Sequence, residues 1–378
     1  MSPSFSPELL RDFGCYELLN SLSEGAYVTD ADRKILFWNR AAESITGWPA
    51  REVVGSHCRD NILVHTDKDG HELCGHEHCP LHRSIVTNHP SFQPLLIYAQ
   101  SKSGKRVPVE VTVAPIHDAT GQVVGGIELF RDMTPAVADM LRAKMIQQTC
   151  LQCALAPDDR VGFDVRYTPN ELVGGDFYRV ERADADHYAI LVADVMGHGM
   201  AAALYTVQLR SLWEDLRGQL GSPAAFLTQL SRRLHVLTRE AGYYATAVYA
   251  NFNVADGGLT YACAAHPRPL VVHPDGTVDR YPDGQPALGM FEDVEYTDTS
   301  HRLDQGDTLL LFTDGATEIA NAAGEDLGVR GLMQLVRESA SSNAGAGLDL
   351  PRLEEELLRR SHQVRLPDDL TLLTAHWL

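Results

Sequence analysis

Positive charge is scarce in this sequence. Against 51 Asp and Glu stand 32 Lys and Arg in 378 residues, a formal net charge of −19 at pH 7. Such a balance argues against nucleic acid or an anionic membrane as the main partner. No apolar run approaches the roughly 20 residues that a membrane span needs. The N-terminal MSPSFSPELLRDFG lacks a basic stretch followed by an apolar one, so no signal peptide is expected. The seven cysteines form no paired framework, which fits a reducing compartment and predicts a cytoplasmic protein. A repeated CxxC metal pattern is missing. So is a cysteine followed by a phosphate-cradling loop: Cys263 lies in a strand-like run. What remains is ordinary, 44% hydrophobic and 22% charged, enough for normal cores in two or three domains.

The chain is organised around AILVADVMGHGMAAAL, from Ala189 to Leu204. Ile190 to Ala193 read as a buried strand, Asp194 closes it, and a turn with Gly197 and Gly199 leads into a helix. Glycines there let backbone atoms approach a metal or an anion. Further acids stand at predicted strand edges: Asp176 ends GGD, Asp314 follows LLLFT, and Asp368 and Asp369 open DDLTLLTAHWL. Two carboxylates about 4 Å apart repel by roughly 4 kcal/mol at an effective dielectric near 20. A fold that gathers them needs a cation, and oxygen-only ligation suits Mg²⁺ or Mn²⁺. Two such ions can activate a water and clamp a phosphate. Four separate caps and turns would leave the same letters.

GGDFY (174–178), DVMGHG (194–199), TAVY (246–249), AAHPRP (264–269), ALG (287–289), FTDGATE (312–318) and DDLT (368–371) occur in this order. Together they resemble the sporulation stage II protein E branch of the metal-dependent (PPM) protein serine/threonine phosphatases, and are similar to the bacterial sigma-B pathway regulatory phosphatases. The resemblance implies an αββα sandwich and a metal pair held by Asp176, Asp194, the Val195 carbonyl, Asp314 and Asp368. It also implies a metal-activated water as attacker and a phosphorylated anti-sigma-factor antagonist as substrate. Ala265 departs from the pattern, where the family usually has Gly before His-Pro. His198 reads either as a proton donor to the leaving oxygen or as a turn histidine facing solvent, and His266 reads as structural. A non-catalytic PAS-linked scaffold and a small-molecule phosphatase are the alternative functions.

The N-terminal third reads as a small α+β domain. A short helix (16–22) precedes strands AYVTD (26–30) and KILFWN (34–39), with Asn39 capping a helix that Gly47 ends. Three strand-like runs follow (92–100, 107–116, 123–134), joined by the hairpin turns SKSGK and DATGQ. VTDADRKILFWNRAAESITGW and GGIELFRDMT resemble a PAS sensor domain. Its middle holds Cys58, Cys74 and Cys79 among His57, His65, His71, His76, His78 and His82. Such residues could ligate Zn²⁺ or an iron–sulfur cluster, or form a polar loop with free thiols. GSHCRDN is similar to the cysteine motif of light-sensing flavin PAS domains. It departs at Asp60, Asn61 and Ile62, and Val109 and Phe130 replace the amides expected around a flavin. For haem, nothing selects one axial histidine.

Between the two lies TPAVADMLRAKMIQQTCLQCALA (134–156), with Thr134 as N-cap and Pro135 at the first helical position. Val137, Leu141, Met145, Gln148, Leu151 and Leu155 fall near helical spacing. Such a helix would transmit a signal from sensor to phosphatase and pair across a homodimer. Cys150 and Cys153 read as a redox switch or as half-buried helix residues. Beyond the connector, helices are expected over 200–220, with Leu204, Val207, Leu212 and Leu216 on one face, and after Ser222-Pro223, with Phe226, Leu230, Leu234 and Leu237 inward. The expected organisation is α+β: a PAS domain (1–133), a helical linker (134–156) and a phosphatase-type sandwich (157–378).

Overall fold

A computed structural model describes residues 15–378 apart from 61, 68–69, 75–77, 154, 241, 281–284, 321–324, 343–346 and 361–365. His76 and the first 14 residues of the expected PAS domain therefore lie outside the described residues. Among those described, no helix is long and apolar enough to cross a membrane. The chain divides into two compact units, Met1–Asp139 and Met140–Leu378.

The first unit has the PAS fold. Helix α1 (Cys15–Ser21) is followed by β1 (Gly25–Asp30), β2 (Ile35–Trp38), α2 (Arg40–Thr46), α3 (Ala50–Val53), α4 (Pro80–Thr87), β3 (Ser91–Gln100), β4 (Arg106–His117) and β5 (Val123–Asp132). The five strands form one antiparallel sheet in the order β2-β1-β5-β4-β3. Asn39 organises its start. Its Oδ1 accepts the N–H of Ala42, capping α2, and that of Ala26 in β1, while its Nδ2 donates to the Leu19 and Glu24 carbonyls. Gly47 ends α2 at φ 74°, a left-handed conformation that glycine adopts without strain. Along β4 every second residue, Val107 to Val113, is buried, so one face of the sheet carries the core with Tyr27, Trp38 and Phe130.

Helix α5 (Thr134–Leu151) carries the chain from the first unit into the second. Its face differs from the expected stripe. Leu141, Met145 and Gln148 are exposed, whereas Gln147 and Leu151 are buried and Met140, Ala143 and Lys144 half-buried. Hydrogen bonds of the Gln147 amide, described below, decide which side turns inward. Cys150 and Cys153 are half-buried free thiols, and Cys153 lies past the helix end.

The second unit is a helix–sheet–sheet–helix sandwich. One sheet orders β13-β10-β9-β8-β7, the other β12-β11-β14-β15-β6. Their strands are β6 (Val161–Thr168), β7 (Asp176–Arg182), β8 (His187–Val195), β9 (Ala245–Asn253), β10 (Gly258–Ala264), β11 (Leu270–Val272), β12 (Val278–Arg280), β13 (Thr299–Arg302), β14 (Thr308–Phe312) and β15 (Leu370–Trp377). Helices α6 (Gly199–Asp215) and α7 (Pro223–Thr238) cover the first sheet, and α8 (Gly328–Ser342) and α9 (Leu350–Arg360) the second. The unbroken apolar run of β8 follows from this layering. Ile190 and Val192 enter the core between the sheets, while Leu191, Ala193 and Val195 enter the core under α6 and α7.

Two helix faces depart from expectation. Leu204 is 60% and Leu237 51% exposed. On α6 the inward face is Ala202, Ala203, Thr206, Leu209, Leu212 and Trp213, where small residues allow close approach to the sheet. That helix ends at Asp215, and Leu220 reaches the core after a short 3₁₀ turn. Ser222 takes the N-cap position of α7 without a side-chain cap hydrogen bond.

Candidate active site

The predicted acids meet at one end of the sandwich, contributed by both sheets. Asp176 opens β7 and Asp194 lies directly opposite it near the end of β8. In the other sheet Asp314 follows β14, and Asp368 and Asp369 precede β15, the neighbour of β14. Strand ends position each carboxylate, so rigid backbone fixes where the charges meet.

Their electrostatics show the crowding. Burial, then Asp194 and Asp369, hold the Asp176 carboxyl well above the usual range. Burial, then Asp314, Asp368, Asp369 and Glu318, push Asp194 up to about 8. Burial and Asp368 raise Asp314 in turn. Two buried oxygens, Asp176 Oδ1 and Asp314 Oδ1, have no hydrogen-bond partner. An unpaired buried acceptor is costly, and converging, unpaired carboxylate oxygens suit a hard divalent cation. Among the described residues no three His, Cys, Asp or Glu side chains close on a single point, so the acids form a cluster and not a finished coordination shell.

The Val195 carbonyl lies beside the glycine pair that precedes Asp176. A Cβ on Gly175 would stand 2.7 Å from the Val195 carbonyl oxygen, so glycine keeps that oxygen open. A Cβ on Gly174 would stand 2.3 Å from Asp369 Oδ2. The glycine pair before Asp176 is thus a requirement of close approach.

Several supporting roles in the site were not legible in the sequence. Asp369 is 2% exposed and accepts the N–H groups of Asn170 at 2.7 Å and Gly175 at 2.5 Å, tying the GGD loop to the opposite sheet. Thr313 and Thr371 donate their hydroxyls to Asp176 Oδ2 at 2.9 and 2.5 Å. Gln147 of α5 donates to the Gly174 carbonyl at 2.6 Å and to Thr206 of α6 at 3.0 Å, and accepts from the Gly174 N–H at 3.3 Å. Glu318 flanks Asp314 and Asp368. The only sequence signals were the DD doublet and the threonines of FTD (312–314) and DDLT (368–371).

His198 is the N-cap residue of α6, exposed, with Nδ1 2.9 Å from Glu171 Oε1. His266 is buried, and its Nδ1 lies 2.7 Å from the Thr246 hydroxyl, which fits a structural residue. Cys263 is buried in β10 and its thiol donates to the His266 carbonyl. Ala265 explains its own departure: at φ 52° it occupies the left-handed region where glycine is at ease.

The family model for stage II sporulation protein E matches residues 184–378. The chain belongs to the stage II sporulation protein E family. In this family member a PAS fold model also matches residues 19–138. Among curated relatives, phosphoserine phosphatase RsbP of Bacillus subtilis is 34% identical over 179 residues, 47% of this chain and 44% of RsbP. Phosphoserine phosphatase RsbU of the same organism is 28% identical over 232 residues, 61% of this chain and 68% of RsbU. The matched stretch thus spans less than half of RsbP. Among solved structures, the SiaA-PP2C domain of Pseudomonas aeruginosa aligns with a TM-score of 0.56 at 24% identity, covering 65% of this chain and 98% of that domain. That likeness speaks for the sandwich fold.

Proposed function

We propose that this family member is a metal-dependent protein phosphatase that removes phosphate from serine or threonine of a protein partner, under control of its PAS unit. The observation that carries the reading is the convergence of carboxylates from both sheets, with Asp176 Oδ1 and Asp314 Oδ1 buried and unpaired. Asp176, Asp194, the Val195 carbonyl, Asp314 and Asp368 would hold two Mn²⁺ or Mg²⁺ ions. When bound, such a pair supplies a water of lowered pKa and neutralises charge on the phosphoryl oxygens. The chain's own part is positional. Thr313 and Thr371 fix one oxygen of Asp176 and leave the other free. Asp369 and Gln147 hold the glycine pair that keeps Val195 open.

The relatives RsbP and RsbU are named phosphoserine phosphatases, which supports phosphoserine as the target group; the substrate class that the motif resemblance implies is a phosphorylated anti-sigma-factor antagonist. Two copies would pair through the PAS unit and α5, whose Leu141, Met145 and Ile146 stand exposed. A two-residue insertion after Ala143 rotates the downstream helix face by about 200°. It should lock activity on or off, and wild-type turnover, oligomeric state and response after insertion would reduce the helix to a tether.

The deciding experiment is phosphate release from a phosphoserine protein with Mn²⁺. Asp194→Asn and Asp314→Asn should each bring turnover to background with the fold intact, and EDTA should do so reversibly. Turnover that survives in both variants without metal would refute the reading.

A further inference from the structure

The first unit buries a second group of ionisable side chains that the phosphatase reading does not use. Cys58, Cys74 and Cys79 are 4, 4 and 3% exposed, His65 is 3% and Glu128 0%. Cys58, His65 and Cys74 lie between α3 and α4, and Cys79 is the N-cap residue of α4. Glu128 reaches the same interior from β5, opposite Tyr27 of β1.

Polar accounting there does not close. His65 Nε2, both Glu128 carboxylate oxygens, Thr29 Oγ1 and Arg33 Nη1 are buried without a hydrogen-bond partner. His65 Nε2 lies 3.5 Å from Glu128 Oε1, beyond a good hydrogen bond. Each such group is costly if nothing satisfies it. Such a concentration stands out in a core that is otherwise aliphatic and aromatic. The donor types say which ligand. Three sulfurs and an imidazole are soft or borderline donors, suited to zinc or iron and not to Mg²⁺. One sulfur is already prepared: the backbone N–H of His65 donates to Cys74 Sγ at 3.1 Å.

We propose that Cys58, Cys74, Cys79 and His65 form a thiolate–imidazole site for one metal centre, a Zn²⁺ ion or an iron–sulfur cluster. Three Cys and one His are the ligand set of a closed zinc site, and cluster irons accept the same donors. Charge is compatible with burial. Three thiolates around Zn²⁺ carry one net negative charge, and the Arg33 guanidinium beside Cys79 and Cys58 offsets it. Glu128 stands where the carboxylate partner of a ligating histidine belongs. The four side chains do not close on one point here, so binding has to draw them together. It also has to remove three thiol protons, because the thiolate and not the thiol is the metal ligand. Affinity should therefore climb with pH.

The test is elemental analysis of the full-length protein, purified anaerobically, in an Asp194→Asn, Asp314→Asn background that disables the acid site. About one metal centre per chain should remain, and Cys74→Ser with Cys79→Ser should remove it. Zinc without visible absorption identifies the ion; iron with sulfide and a visible band identifies the cluster. Because the cysteine variant could unfold the unit, the chelated cysteine-intact protein is also titrated with Co²⁺, which should give a thiolate-to-cobalt charge-transfer band. Protein with neither zinc nor iron and no cobalt band, or with a flavin spectrum in their place, overturns the proposal.

Discussion

At the end of the sandwich, two threonine hydroxyls and two backbone N–H groups point at buried carboxylates. In the core of the PAS unit, five buried polar atoms of Thr29, Arg33, His65 and Glu128 have no partner, and the backbone N–H groups of His65 and His82 reach the sulfurs of Cys74 and Cys79. Both regions crowd ionisable groups, yet they differ in donor atoms and in access. Asp194, Asp314 and Asp368 are only partly buried, whereas each of the three cysteines is sealed in. Oxygen donors with hydrogen bonds supplied by the protein suit a cation that comes and goes with solvent. Thiols sealed into the core suit a centre that binds once and stays. The difference teaches that a site's supporting hydrogen bonds tell as much about exchange as its ligands do.

Removing those supports should have the largest effect. Thr313→Val with Thr371→Val strips both hydroxyls from Asp176 Oδ2. The Mn²⁺ concentration for half-maximal phosphate release should rise roughly 10- to 100-fold, with the metal content of the PAS unit unchanged. Parallel loss at both sites would break the comparison.

A middle-sized effect concerns pH. Asp194 and Glu128 are both pushed up to about 8, Glu128 by burial and Asp194 by burial and its neighbouring acids. Each binds its proton more tightly folded than unfolded, so between about pH 4 and pH 8 unfolding releases protons and stability falls as pH rises. Chelated protein should melt at a lower temperature at pH 8 than at pH 5. Mn²⁺ should restore the loss in the sandwich, and Glu128→Gln should flatten only the part from the PAS unit. A melting temperature that does not fall with pH contradicts both assignments.

The smallest effect lies away from either cluster. Ala265→Gly relieves a left-handed residue at φ 52° and gives back part of the gain as backbone entropy. Urea unfolding should show the sandwich stabilised by roughly 0.5–1 kcal/mol, with Mn²⁺ dependence unchanged.

Asp194 was legible because an apolar run, an acid and two glycines form a local pattern, and the other strand-edge acids were legible for the same reason. The parts that Asp369, Thr313 and Thr371 play in holding the GGD loop and Asp176 were not, because their partners lie 137 to 199 residues away, across two sheets. Periodicity misplaced Leu204 and Leu237 because it weighs leucine over small and hydroxyl residues, and on α7 it is Thr238 that turns inward. On α6 it is Ala202 and Ala203 that face the sheet. On α5 no hydropathy pattern could favour Gln147 over Gln148, since only hydrogen bonds distinguish them.

Gln147 bears on how the protein can be taken apart. Both edges of its amide are committed to Gly174, and Thr206 takes a further bond. A fragment beginning at Pro157 would leave the Gly174 N–H and carbonyl to whatever water could enter. Its activity would then report a loosened GGD loop, and a low value could be mistaken for loss of a signal from the PAS unit. A cut before Met140 keeps the wedge in place, so comparing the two fragments separates what the sensor says from what the helix simply holds.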